Sequence, residues 1–130
     1  MIKLLLIALC FSFASCDYTF KLPGGYIFYS EAPSDQIIMK KEGIVGREGH
    51  VPCNVVEYDY NDDFIVAKQI ARFECFFDKK NYFNQIEGGE YYWIIEVKQR
   101  KINGPYTEKK YWDKRTTLGV PKSLSVTKRG

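Results

Sequence analysis

Read for its apolar and polar positions, the chain from Tyr26 onward is a succession of short apolar runs separated by turn-forming residues. Residues 26–30 are rich in aromatics and Ile, and residues 36–40 follow after Glu31-Ala32-Pro33-Ser34-Asp35. A Pro beside Ser and Asp fixes φ and withholds a donor, so this stretch predicts a first hairpin. Gly43, Gly46 and Gly49 then interrupt the pattern before Val51-Pro52, predicting an irregular crossing. Residues 54–60 alternate polar and apolar and Tyr60-Asn61-Asp62-Asp63 turns. Residues 64–70 return with Phe64, Val66 and Lys68 on one face, a second hairpin. Residues 71–77 are read as continuing that strand. Residues 78–87 fit either a short helix capped by Asp78 or a loop, closed by Gly88-Gly89. The run Tyr91-Tyr92-Trp93-Ile94-Ile95 is apolar throughout and predicts a central strand over residues 91–98, buried on both faces.

After Asn103-Gly104-Pro105 the period changes. Thr107 can cap a helix whose first turn carries Glu108, Lys114 and Arg115 suit its far end, and Gly119 and Pro121 stop it. Tyr111, the alkyl stem of Arg115 and Leu118 fall on one face of residues 107–118. The pairs Ile37-Ile38, Ile65-Val66 and Ile94-Ile95 recur at spacings of 28 and 29, which fits successive hairpins; three such units cannot close a propeller. The expected fold class is α+β: an antiparallel β-meander of hairpins with one short C-terminal helix packed on the sheet.

The N-terminus reads as an address. Met1-Ile2-Lys3 supplies one positive charge, and residues 4–13 are uncharged and mostly apolar, the anatomy of a secretory signal too short to remain as a membrane span. Phe13-Ala14-Ser15-Cys16 resembles the lipobox of bacterial lipoproteins, in which the Cys is lipidated and becomes the first residue. Ordinary cleavage after Ala14 is the rival reading, since Ser12 and Ala14 satisfy the small-x-small rule. The expected organisation is a lipoprotein-type signal over 1–15, a tether over 16–25, one β-rich globular domain over 26–126 and a frayed tail over 127–130. Cys16 is the expected lipidation site, and it anchors the domain by its end.

Charge adds a second asymmetry. Residues 17–97 hold 8 basic and 14 acidic side chains, whereas residues 98–130 hold 10 basic ones against Glu108 and Asp113 alone. Either a basic helix balances an acidic sheet within one molecule, or the basic end meets an anionic envelope polymer or headgroup. Nucleic acid is not an expected partner of an exported chain. Aromatics make up 16% of the sequence, with 10 Tyr, and exposed Tyr suits protein interfaces or sugar stacking. Tyr106, Lys109 and Trp112, grouped around the helix start, form the candidate contact surface.

Catalytic chemistry finds little support. His50, the single imidazole, lies in a predicted connection, and no Gly-rich loop leads from a strand into a helix. The expectation is a non-enzymatic protein with no catalytic residues and no cofactor. Asp59-x-Asn61-x-Asp63 has the opening spacing of a calcium loop, so Asp59, Asn61 and Asp63 are the only metal candidates. Phe64 stands where such a loop needs Gly, and Ile70 where it needs Glu, which favours a plain polar turn. Cys53 and Cys75 remain as a candidate disulfide of an oxidising compartment. A turn at Asn61-Asp62 sets Cys53 opposite about Ile70 and leaves Cys75 about 17 Å further on if the chain stays extended. The bridge therefore requires the chain to fold back after Arg72; otherwise two buried thiols result.

Phe64-Ile65-Val66-Ala67-Lys68-Gln69, Tyr92-Trp93-Ile94-Ile95-Glu96, Gly104-Pro105 and Leu118-Gly119-Val120-Pro121 occur in that order. Over roughly residues 55–124 the chain resembles a family of small uncharacterised bacterial lipoproteins carrying a domain of unknown function. The resemblance implies a bacterial envelope lipoprotein and carries over no site residues. The function expected from these readings is an envelope-anchored domain that binds another protein or an envelope polymer. The alternative is a small secreted inhibitor or immunity-type protein that occludes a partner enzyme.

Overall fold

A computed structural model of the chain describes residues 18–30, 35–41, 50–72 and 85–126. Its strands fall into two antiparallel four-stranded sheets, each a simple meander. The first comprises β1 (Tyr18–Lys21), β2 (Tyr26–Ser30), β3 (Gln36–Lys40) and β4 (His50–Val51); the second comprises β5 (Val55–Tyr60), β6 (Phe64–Ile70), β7 (Glu90–Glu96) and β8 (Lys101–Tyr106). Helix α1 (Glu108–Leu118) follows. The α+β class, the hairpins and the C-terminal helix agree with the pattern of the sequence. The meander divides in two between Val51 and Val55, so that each half can cover an apolar face of the other.

That division explains the apolar run in β7. Trp93 and Ile95 join Ile65 and Ala67 of β6 in facing Phe28, Ile38 and Val51 of the first sheet. Tyr92 and Ile94 point the other way, with Val66, against Tyr111 of α1 and Val120, Leu124 and Val126 beyond it. A strand with apolar side chains on both faces is thus the shared middle layer. Trp93 is polar at one point only, and its Nε1–H donates to Gln69 Oε1 at 2.7 Å. Gln69 is fully buried and in turn donates from Nε2 to Cys53 O and to Gln85 Oε1, while Gln85 Nε2 donates back to Gln69 Oε1. Every polar atom of this group has a partner, as burial requires.

Helix α1 forms for the local reasons its sequence gives. Thr107 Oγ1 accepts from Lys110 N at 3.3 Å, and Gly119 at φ 78 closes the far end with its N–H on Arg115 O and Thr116 O. Its buried face is Tyr111 and Arg115. The guanidinium itself, and not only its stem, is inside: it donates to Tyr111 Oη at 2.8 Å and to Pro121 O at 2.9 Å, and lies 4.8 Å from the Trp112 ring centroid.

Several expectations are corrected. Residues 18–25, expected within a tether, form β1, paired with β2 from Tyr18↔Ser30 to Lys21↔Ile27, and a one-turn 3-10 helix over Pro23–Gly25. The central strand ends at Glu96, and residues 97–100 turn, with Arg100 at φ 54. Asn103-Gly104-Pro105, after which the period changes as expected, itself lies inside β8, a strand the pattern did not predict. A Cβ at Gly104 would stand 2.7 Å from Trp93 Cε3, so the glycine admits the indole and does not mark a turn. His50 lies in β4, opposite Met39, and not in a connection. The predicted continuation over 71–77 and the ambiguous segment 78–87 fall largely outside the described residues, as do residues 1–17 and the tail 127–130.

Candidate functional site

Strand β5 has a neighbour on one side only, β6, and is an edge of its sheet. Its register slips between Val55 and Glu57, a β-bulge that turns Val56 outward to 39% exposure. Beyond the bulge the pairs run Glu57↔Lys68, Tyr58↔Ala67, Asp59↔Val66 and Tyr60↔Ile65. Asn61 N donates to Phe64 O, which fixes Asn61–Phe64 as a hydrogen-bonded pair. Alternation along an antiparallel ladder then makes Asp59 and Glu57 hydrogen-bonded positions and turns the N–H and C=O of Tyr58 and Tyr60 away from β6. The Tyr60 N–H is taken by Asp59 Oδ1 at 2.9 Å. The backbone N–H and C=O of Tyr58 have no partner among the described residues.

A groove of about 480 Å³ runs along this edge, lined by Val56, Glu57, Tyr58, Asp59 and Ser125. Its two walls differ in chemistry because side chains alternate across a strand. On the helix side stand the carboxylates. Asp59 Oδ2 accepts from Ser125 N at 3.2 Å, which ties the C-terminal segment to the strand. Glu57 is half-buried and has no hydrogen-bond or ion-pair partner among the described residues, because Lys68, opposite it, is paired with Glu90 at 3.6 Å. On the other side Tyr58 stacks on Phe28 with ring centroids 4.7 Å apart, and Phe20 of β1 approaches both Tyr58 and Tyr60. Burial, with lesser contributions from Tyr18 and Tyr60, holds the Tyr58 phenol above its usual pKa. Tyr18 and Tyr60 leave the outer ends of this aromatic cluster exposed, at 53% and 38%.

The residues singled out from the sequence go to different places. Asp59, Asn61 and Asp63 do not converge. Asp59 caps the edge, Asn61 Oδ1 accepts from the N–H groups of Asp63 and Phe64 at 2.8 Å each, and Asp63 pairs with Lys98 at 2.8 Å. The side chains that suggested a calcium loop build a tight polar turn. No group of three metal-ligating side chains occurs among the described residues. The expected contact surface is divided: Tyr106 packs beneath the helix with Val66 and Tyr92, while Lys109 and Trp112, one turn apart on α1, are exposed. Cys53 is disulfide-bonded to a partner outside the described residues, and its Sγ lies 3.4 Å from Arg72 O. Cys75 and the lipidation candidate Cys16 lie outside the described residues. The turn closes around Asp62-Asp63 and the bulge takes back one residue, so Asn54, and not Cys53, faces Ile70.

Glu57 and Val56 were not legible as site residues. The alternation of residues 54–60 identifies a strand, but which strands lie at an edge follows from the order of the whole sheet. No curated protein and no solved structure matches the chain. A family model does match, over residues 23–129, covering both sheets from β2 onward and the helix. The chain belongs to the family described as protein of unknown function DUF3997.

Proposed function

We propose that this chain is a non-enzymatic binding domain of the bacterial cell envelope, held at the membrane by lipid on Cys16. Its ligand is another protein or an envelope polymer. The observation that carries the binding reading is the β5 edge: an open backbone pair at Tyr58 and a half-buried carboxylate at Glu57, each without a partner among the described residues, in a groove that exposed Val56 also lines, with exposed Tyr60 and Tyr18 in the neighbouring aromatic cluster. Natural sheets usually cover or charge such an edge, and Glu57 and Asp59 charge this one. Here Asp59 covers one N–H and leaves the next pair open. The anchoring reading is supported by Phe13-Ala14-Ser15-Cys16 directly after the apolar leader.

Two measurements test it. The intact mass of the protein extracted from cells in detergent is expected to correspond to a chain starting at Cys16 with added acyl mass. A lipid-free chain favours the secreted inhibitor instead. A photo-crosslinking amino acid at Val56 is expected to give a discrete adduct in intact cells, whereas the same group at exposed Gln99 gives none. Absence of an adduct at Val56 removes the edge as the binding surface.

A further inference from the structure

We infer that the β5 edge takes up one extended segment of a basic partner polypeptide as an added antiparallel strand, with basic and apolar side chains alternating along it. This rests on the binding reading above and gives its ligand a chemistry. The open part of the edge runs over Val56, Glu57 and Tyr58, about 10 Å of strand. At one end the bulge and the Asn54 side chain, whose Oδ1 accepts from Gln36 N, close it off; at the other end Asp59 does, its carboxylate accepting from Tyr60 N and Ser125 N.

Within that stretch the hydrogen-bonding position is Tyr58. In an antiparallel addition a single partner residue donates its N–H to Tyr58 O and accepts from Tyr58 N, which supplies both missing bonds at once. That residue shares a face with Tyr58, so its side chain falls beside the Tyr18, Phe20 and Tyr60 cluster and is apolar. Its two neighbours share the opposite face with Glu57 and Asp59. Both of these are acidic and Glu57 lacks a partner, so the neighbours are Lys or Arg. The recognised pattern is basic–apolar–basic. A second copy of the chain does not suit the edge, since β5 laid on β5 brings Glu57 and Asp59 against their own kind.

The probe is a capped peptide of alternating Lys and Val, titrated into the isotope-labelled protein purified as cells process it and followed by amide chemical shifts. The Tyr58 amide and its neighbours in β5 are expected to shift and to gain protection from hydrogen exchange. A Glu-Val peptide of the same length is expected to bind at least about tenfold more weakly, and methylating the Val backbone nitrogens is expected to abolish the shift. Glu57→Gln, a surface change that leaves the ladder intact, is expected to weaken the Lys-Val peptide by about three- to fivefold. Equal binding of both peptides, shifts confined to α1, or shifts that follow protein concentration without peptide overturn the inference; the last identifies a second copy as the occupant. A Val56 adduct in cells together with an unmoved Tyr58 amide overturns strand addition and leaves the binding reading standing.

Discussion

Gly104 and Arg115 show how much single residues decide here. At Gly104 φ is 140 and the indole of Trp93 fills the place of a side chain. Gly104→Ala therefore forces Trp93 out of its position as well as straining the backbone, and a loss of about 2–4 kcal/mol is expected in urea unfolding, with a changed Trp emission spectrum in the folded state. Arg115 is buried at 5% exposure, and no carboxylate lies within ion-pair distance of it among the described residues. Its charge is met by a phenol oxygen, a carbonyl and aromatic faces, a set that replaces water without a counter-ion. Arg115→Ala is expected to cost about 2–4 kcal/mol, and Arg115→Lys to recover less than half of that, because an ammonium cannot span Tyr111 and Pro121 together. Equal stability of the Ala variant and the parent protein would contradict this account.

At the scale of elements, the buried amide pair Gln69 and Gln85 joins β6, the segment before β7 and the Cys53 turn, with Trp93 as a fourth member. Gln69→Leu keeps the volume but leaves the Trp93 N–H and the Gln85 amide without partners. A loss of about 2–3 kcal/mol is expected, measured by thermal or urea unfolding, whereas a surface control such as Lys122→Gln shifts neither. The sequence allowed some elements to be read and hid others for physical reasons. Residues 26–30, 36–40 and 64–70 were legible because turn residues bound apolar runs, and α1 because Thr107, Gly119 and Pro121 act locally. Strand β8 was hidden by Gly104-Pro105, whose presence answers to Trp93 across the ladder. Strand β1 was hidden because Tyr18–Lys21 is too short to show a period. Of the candidate site, the acidic side chain at Asp59 was visible, but its task as a cap on an edge strand depends on sheet order, which no local pattern encodes.

Across the whole molecule the charge asymmetry of the sequence partly closes on itself, since Asp63 of the β5–β6 turn pairs with Lys98 of the β7–β8 turn at 2.8 Å. Glu57, Asp59 and Asp62 lie on the β5–β6 hairpin, while the exposed Arg100, Lys101, Lys109 and Lys110 lie on the β7–β8 turn and α1. Stability should respond to alkaline pH in one direction. Burial holds the phenols of Tyr26, Tyr58, Tyr106 and Tyr111 above the usual 10.0, and the hydrogen bond that Lys98 donates to Asp63 raises Lys98. In each case the folded chain retains a proton that the unfolded chain releases, so stability holds below about pH 10 and falls as pH rises beyond it. Melting temperatures recorded from pH 8 to about pH 11.5 should decline only above pH 10, and tyrosinate absorbance should show a late-titrating fraction that appears together with unfolding. Under the proposed anchoring, the early start of β1 would set the height at which the domain works. With Tyr18 already fixed in the ladder, a lipid on Cys16 has at most about 7 Å of chain between acyl group and sheet. Phe20 of that same strand approaches Tyr58 and Tyr60, so on that proposal the β5 edge would ride just above the headgroups. A domain held in that way would meet its partners sideways, along the membrane plane.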